Sequence, residues 1–193
     1  GRGEYKINNY EHPITIQLAG FDPKKFMQCS KIIEEQGFSE ININIGCPSN
    51  KVLKGQFGAC LMNHPENVAE IVTEIKNSCS LPVSIKTRLG LDYDENLDLL
   101  KDFIYKTSNA GCNRFFLHAR NAILKGISTR KNRNIPALRY DDAFKIKTEF
   151  PHLSIILNGG ITTMDEIINY SDLFDGVMIG RKIYDDPMFL LNI

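Results

Sequence analysis

The sequence lacks several features that would mark a specialised class of protein. Its 193 residues hold 23 Lys and Arg against 23 Asp and Glu, so net charge gives no support for nucleic-acid binding. No apolar run approaches membrane-spanning length, and the N-terminus has no signal-peptide pattern. With 42% hydrophobic residues and no low-complexity tract, the chain is long enough for one domain with a substantial core. The expected location is cytoplasmic, or an organelle matrix if a transit peptide is missing.

Cysteine usage excludes two further classes. The cysteines are odd in number, irregularly spaced and without a CxxC pair: Cys29, Cys47, Cys60, Cys79 and Cys112. A disulfide framework and a zinc knuckle are therefore not expected, and no metal site is predicted. Free thiols fit a reducing compartment. We expect Cys29 and Cys79, which lie in helical patterns, to be buried or half-buried packing residues.

Short β-branched runs alternate with amphipathic segments along the whole chain. Strands are predicted at Ile14–Leu18, Glu40–Ile45, Val83–Lys86, Arg114–His118, Ser154–Leu157 and Gly176–Ile179. Helices are predicted near Pro23–Gln36, Pro65–Ser78, Asp94–Asn109, Asp141–Glu149 and Thr163–Tyr170. This alternation predicts right-handed βαβ units and a parallel sheet.

Two architectures with parallel sheets compete, a doubly wound open sheet and a (β/α)8 TIM barrel. The doubly wound sheet needs a glycine-rich turn after its first strand, which Leu18–Asp22 does not provide. The barrel needs functional residues at the carboxyl ends of many strands, and the sequence has them. We therefore predict that residues 1–193 form an incomplete barrel domain with about six of eight strands. Two strands would precede residue 1, and a further domain would follow residue 193.

Polar side chains recur where the predicted strands end. They are Gln17, Asn44, Lys86 with Arg88 two residues on, and His118. Each has an ordinary alternative, as a solvent-facing residue or a satisfied structural group. Asn42 and Asn44 alternate with isoleucines, so they share one face and need partners. Because the polar residues at the strand ends lie at the same height in a barrel, they favour a ligand site at its mouth.

The last two strands end in small residues. Asn158-Gly159-Gly160 follows the fifth strand and Gly180-Arg181 follows the sixth. Glycines let backbone amides approach an anion closely, a helix N-terminus adds its dipole, and an arginine fits a phosphate. Two such sites on the last strands of a barrel favour a phosphorylated ligand across the mouth.

A thiol ends the second strand. The strand in Glu40–Ser49 stops at Gly46-Cys47-Pro48, because Pro48 lacks a backbone donor. A thiol at the carboxyl end of a barrel strand is a candidate for chemistry. Cys60, in Phe57–Met62, is predicted to be a buried thiol at the entry to a helix.

The segments IQLAG, INIGCPS, FGACLM, SIKTRLG, LHAR, NGGI and GVMIGR, in this order, resemble the tRNA dihydrouridine synthases. Residues 128–141 and 150–153 most resemble the subfamily that acts on D-loop uridines 20 and 20a. The resemblance implies an FMN-binding barrel followed by a helical RNA-binding domain, with NADPH or NADH as reductant. Hydride would pass from the reduced flavin to carbon 6 of a uracil, and Cys47 would protonate carbon 5.

The resemblance also implies a role for each matching residue. Gln17, Lys86 and His118 would contact the flavin, and its phosphate end would lie on Asn158, Gly159, Gly160, Gly180 and Arg181. Asn44 and Arg88 would bind the substrate base. Arg130 and Arg133 match positions that contact transfer RNA. They belong to a run from Ala119 to Tyr140 with six cations and no acid, a composition that is usually only a solvated loop.

Two other functions stay open at this point. One is a flavin barrel acting on a small molecule, similar to dihydroorotate dehydrogenase, which would share the phosphate site but not the GCPS segment or the basic loop. The other is a non-catalytic RNA-binding relic, against which the presence of Cys47, Lys86 and His118 together argues.

Overall fold

The structure is a computed structural model that describes residues 7, 12–49, 52 and 54–192. Its sheet has six strands, all parallel, that neighbour one another in chain order. They are β1 (Thr15–Leu18), β2 (Glu40–Ile45), β3 (Val83–Arg88), β4 (Arg114–His118), β5 (Ser154–Asn158) and β6 (Val177–Met178). Since this order never reverses, the barrel is confirmed over the doubly wound sheet. Within the described residues, β1 and β6 each pair on one side only.

Helices alternate with the strands. They are α1 (Pro23–Glu35), α2 (Pro65–Ser78), α3 (Asp98–Asn109), α4 (Tyr140–Glu149), α5 (Met164–Ser171) and α6 (Arg181–Asp185). Short 3-10 helices cover Gly58–Asn63, Lys131–Arg133 and Pro187–Asn192. In the described part of the chain, no helix is both long and apolar enough to cross a membrane.

Most helix boundaries follow the expected signals. Asp22 caps α1 by accepting the amides of Lys24 and Lys25, and Pro23 and Pro65 lie in the first turns of α1 and α2. The prediction for α3 was four residues too long at its start. Asp94 and Asn96 accept backbone amides of residues 96 and 98 there, which holds a turn in place of the helix.

Alternation along the strands separates the core from the barrel interior. Ile41, Ile43 and Ile45 are fully buried in the main hydrophobic core, while Asn42 and Asn44 point the other way. β3 runs two residues beyond its predicted end, so Arg88 shares the face of Lys86.

The register arranges the interior side chains in rows across the sheet. The lowest row that crosses four strands pairs Gln17, Asn42, Ser84 and Arg114 in turn, and Glu40 pairs with Thr15 one step below it. The middle row pairs Asn44, Lys86, Phe116 and Ile156, and the upper row pairs Arg88, His118, Asn158 and Met178. These rows position the candidate site.

Candidate active site

One cavity of about 570 Å³ lies at the carboxyl ends of the strands. It brings together twelve of the thirteen residues predicted from the sequence: Gln17, Asn44, Cys47, Lys86, Arg88, His118, Arg133, Asn158, Gly159, Gly160, Gly180 and Arg181. The convergence of six strand ends on one cavity is the expected geometry of a barrel mouth. The exception is Arg130, an exposed residue outside the lining of this cavity.

The cavity also has lining residues that sequence reasoning missed. They are Gly46, Pro48, Thr129, Ile161, Thr162, Met178, Lys182 and Asp185. Most neighbour a predicted residue in the chain, and that proximity was the available signal. Thr129 reaches the cavity from the loop after β4, in the segment of the family resemblance and next to Arg130, although no role was assigned to it.

Asn44 orients the turn that carries Cys47. Its side-chain oxygen accepts hydrogen bonds from the backbone amides of Gly46 and Cys47, each at 3.1 Å. Such a turn fixes the backbone where the strand can no longer pair. Asn44 therefore positions the thiol loop, besides lining the cavity.

The FGACLM segment packs directly on this thiol loop. The backbone amide of Ala59 donates to the carbonyl oxygen of Cys47 at 3.0 Å. Gly58 has a φ of +71°, and a Cβ added there would lie 2.6 Å from the same carbonyl oxygen. Glycine at this position thus permits both the backbone conformation and the close approach.

Gly58→Ala should strongly destabilise the protein, whereas Gly37→Ala should do so mildly. Both glycines have positive φ, but an added Cβ at Gly37 meets nothing within 4 Å. We expect a loss of about 1–2 kcal/mol for Gly37→Ala and at least about 2 kcal/mol more for Gly58→Ala, because backbone must also move. Urea unfolding measures both. Equal losses would show that the close approach of Val52 and Cys47 to Gly58 is unimportant.

Cys60 lies apart from the cavity, as predicted. Its thiol donates to the carbonyl oxygen of Phe57 at 3.1 Å, and burial raises its pKa. Cys29 is exposed, so its predicted burial was wrong, because its position on α1 faces solvent. Cys79 is half-buried, as expected.

Arg88 is buried, and its guanidinium donates hydrogen bonds to backbone carbonyl oxygens. Its Nε donates to the carbonyl oxygen of Gly46 at 3.2 Å, and its Nη1 donates to those of Asn121 and Asn132 at 3.3 and 3.1 Å. Burial, and then the nearby Arg120, lowers its pKa to about 10. The guanidinium ties the loop after β2 to the loop after β4, and in the described residues only Nη2 has no such bond.

The cavity has more positive than negative charge, and this affects Lys86 and His118. Burial, and then Arg88, lowers the pKa of Lys86 to about 8. Burial and four neighbouring cations lower the pKa of His118 to about 2, so its imidazole is neutral. Asp185 is the one acid among the described lining residues. An anionic or electron-rich ligand would relieve this excess of positive charge.

The glycine pair after β5 is closely surrounded. A Cβ at Gly159 would lie 2.7 Å from His118, and one at Gly160 would lie 2.7 Å from the Tyr140 hydroxyl. Tyr140, which sequence reasoning missed, donates to the carbonyl oxygen of Gly159 at 2.7 Å, and burial raises its pKa to about 12. Asn158 donates to the carbonyl oxygen of Met178 at 2.8 Å and joins the ends of β5 and β6.

The N-terminus of α5, whose dipole was expected to assist a phosphate, already binds a carboxylate of the protein itself. The Glu166 carboxylate accepts the amides of Thr162 and Thr163 at 2.8 and 3.0 Å, and the Thr162 amide lowers its pKa. A phosphate would therefore rely on amides of the glycine turns. At Gly180 an added Cβ would meet nothing within 4 Å, so open space adjoins this backbone.

Some cations of the basic loop, the run from Ala119 to Tyr140, are bound within the protein, and others are exposed. Arg139 contacts Asp142 and donates to Asn121, while Arg120 donates to the carbonyl oxygens of Asn134 and Pro136. These two cations are therefore engaged within the protein, and neither was assigned to transfer RNA from the sequence. The other four are exposed: Lys125, Arg130, Lys131 and Arg133. Arg181 donates to the side-chain oxygen of Asn134 at 2.7 Å, which joins this loop to the end of β6.

Comparison with known proteins gives a consistent result. A family model described as "Dihydrouridine synthase (Dus)" matches residues 2–192. Proteins named "tRNA-dihydrouridine(20/20a) synthase" from Shewanella oneidensis and Escherichia coli are each 43% identical over the whole chain. One from Pseudomonas putida is 45% identical over 95% of the chain. The chain spans 58%, 59% and 54% of the lengths of these three relatives.

Proposed function

Because the chain belongs to the dihydrouridine synthase family, we propose that it is the catalytic barrel of an enzyme that reduces D-loop uridines 20 and 20a of transfer RNA to 5,6-dihydrouridine. The observation that carries the proposal is the single cavity that gathers Cys47, Lys86, His118 and the two glycine turns. The remainder of the protein, including a helical RNA-binding domain, would lie outside this chain. The cytoplasm is the compartment that we propose.

The cavity residues fit FMN. Lys86 and the neutral His118 lie on neighbouring strands and would meet the ring system. The backbone at Gly159 and Gly160 and the open backbone at Gly180 would receive the phosphate, with Arg181 beside them. When bound and reduced by NADPH, FMN would supply the hydride for carbon 6 of the uracil.

The chain's own residues would hold the base and supply the proton. The Asn44 side chain fixes the turn of Cys47, so the thiol can be held toward the cavity as a proton donor to carbon 5. Arg88 braces that turn through the carbonyl oxygen of Gly46. Since the target base must leave its stack to enter the cavity, the exposed cations of the basic loop would hold the flanking phosphates.

The full-length protein tests this function directly. Purified protein should carry flavin, which NADPH should reduce and unmodified transfer RNA should reoxidise. Loss of dihydrouridine at positions 20 and 20a should follow deletion in cells. Reoxidation by orotate but not by transfer RNA would contradict the proposal and favour a small-molecule flavin enzyme.

Arg133→Ala should weaken transfer RNA binding more than Lys125→Ala. Both cations are exposed on the same loop, but only Arg133 lines the cavity. Removing one interaction between a cation and a phosphate should reduce affinity about threefold to tenfold. The slope of log affinity against log salt concentration should become shallower by about one. Filter binding at several salt concentrations measures this effect. Equal reductions for the two variants would show that the cations act only through net charge.

A further inference from the structure

A continuous hydrogen-bond relay, which no part of the mechanism has used, joins the lowest row to Glu40 one step below it. Gln17 Nε2 donates to Asn42 Oδ1 at 2.7 Å, and Asn42 Nδ2 donates to Ser84 Oγ at 2.8 Å. Ser84 Oγ donates to Glu40 Oε1 at 2.5 Å, and Arg114 Nη1 donates to Glu40 Oε2 at 2.6 Å. Glu40, Asn42 and Ser84 are buried, and Gln17, at the other end, is exposed where it lines the cavity.

The charge at one end fixes the direction of every bond. A carboxylate only accepts, so the Ser84 hydroxyl must donate to Glu40. Its oxygen is then left to accept from the Asn42 amide nitrogen, and the Asn42 oxygen must accept from Gln17. The Gln17 oxygen is the end that remains for the cavity.

We propose that Glu40 is a positioning residue that makes Gln17 present its oxygen, a hydrogen-bond acceptor, to the bound ligand. The ligand class is a heterocycle with an imide N–H, between the two carbonyl groups of its pyrimidine ring. This inference rests on the proposed function to the extent that FMN is the heterocycle tested. Glu40 begins β2, at the end of the strand that lies away from the cavity, and sequence reasoning assigned no role to it.

Glu40→Gln should reverse the relay. Arg114 can only donate, so the new amide must turn its oxygen to Arg114 and its nitrogen to Ser84. The Ser84 hydroxyl then donates to Asn42, both interior amides turn over, and Gln17 presents Nε2 to the cavity. Two donors would then face each other at the imide N–H.

The test compares FMN with FMN methylated at the imide nitrogen, using fluorescence quenching on the full-length apoprotein. The wild type should bind FMN about tenfold more tightly than the methylated form, the usual effect of one hydrogen bond that the ligand itself buries. In Glu40→Gln this preference should fall close to one. General destabilisation would weaken both ligands alike and leave the ratio unchanged.

Two double variants separate the relay from other effects of Glu40. Adding Ser84→Val to Glu40→Gln removes the hydroxyl that links residue 40 to Asn42. The amide of Asn42 is then no longer forced to turn over, so much of the preference for FMN should return. Adding Ser84→Thr retains the hydroxyl and has nearly the same shape, so the preference should stay low. Circular dichroism confirms that each variant is folded.

The outcomes distinguish the two proposals. A wild type that prefers FMN while Glu40→Gln retains the full preference would overturn the relay and leave the proposed function intact. Equal preferences in the two double variants would also overturn it. A wild type that binds neither flavin would overturn the proposed function, and the positioning role with it.

Discussion

Cys47→Ala should slow uridine reduction by about a hundredfold or more, which is the usual contribution of a positioned proton donor. FMN binding and its reduction by NADPH should stay nearly unchanged, because the side chain is small and borders the cavity instead of filling it. The measurement is single-turnover oxidation of the reduced full-length enzyme by unmodified transfer RNA.

Cys60→Ala is the matched control for this experiment. Its thiol bonds to the Phe57 carbonyl oxygen, away from the cavity lining, so its removal should lower stability without changing this step. An unchanged rate for Cys47→Ala would remove Cys47 from the mechanism. A large rate loss for Cys60→Ala at full flavin occupancy would make Cys60 the stronger candidate.

Lys86→Met should weaken FMN binding by about a hundredfold while making the apoprotein more stable. The affinity falls because removing one partner of a buried charged pair typically costs about 2–5 kcal/mol, or roughly thirtyfold or more. The apoprotein gains because the ammonium group is partly desolvated with no ion pair among the described residues. Water in the cavity screens part of that penalty, so we expect a gain of about 1–2 kcal/mol at pH 7.

The stability gain should depend on pH in a defined direction. The pKa of Lys86 is about 8 in the folded protein, against an ordinary value of 10.5. Between these values the unfolded chain holds the proton and the folded chain does not, so wild-type stability rises with pH through this window. The advantage of Lys86→Met should therefore shrink from pH 8 to pH 10.5.

Urea unfolding of both apoproteins across this pH range, with fluorescence titration of FMN at pH 7, tests the two halves separately. Lys86→Arg keeps its charge throughout the range and serves as the control for bulk. A less stable Lys86→Met apoprotein at neutral pH would show that Lys86 is well solvated or paired in the free protein.

Much of this site could be predicted because strand periodicity and strand ends are local properties of the sequence. Lys86, His118 and Asn158 each follow an apolar run, and parallel strands necessarily bring their carboxyl ends together. Tyr140 could not be found in this way, because its hydrogen bond joins the first turn of α4 to the turn after β5, which only the folded chain brings together.

The structural arginines were missed for a related reason. Composition shows that a loop is basic, but only the folded chain shows which guanidinium groups satisfy buried carbonyl oxygens, as Arg120 does. The same limit applies to Glu166, whose carboxylate reaches back to amides that would otherwise be available to a ligand.

The row arrangement of the sheet gives the cavity a direction. Its lining takes Gln17 from the lowest row on β1 and Asn44 and Lys86 from the middle row on β2 and β3. From the upper row, on β3 to β6, it takes Arg88, His118, Asn158 and Met178. The floor therefore climbs obliquely across the strands, from amide groups at its low end to glycine turns at its high end. A ligand with unlike ends should therefore match this slope better in one orientation than in the other, so we expect the staggered register to disfavour a reversed binding mode.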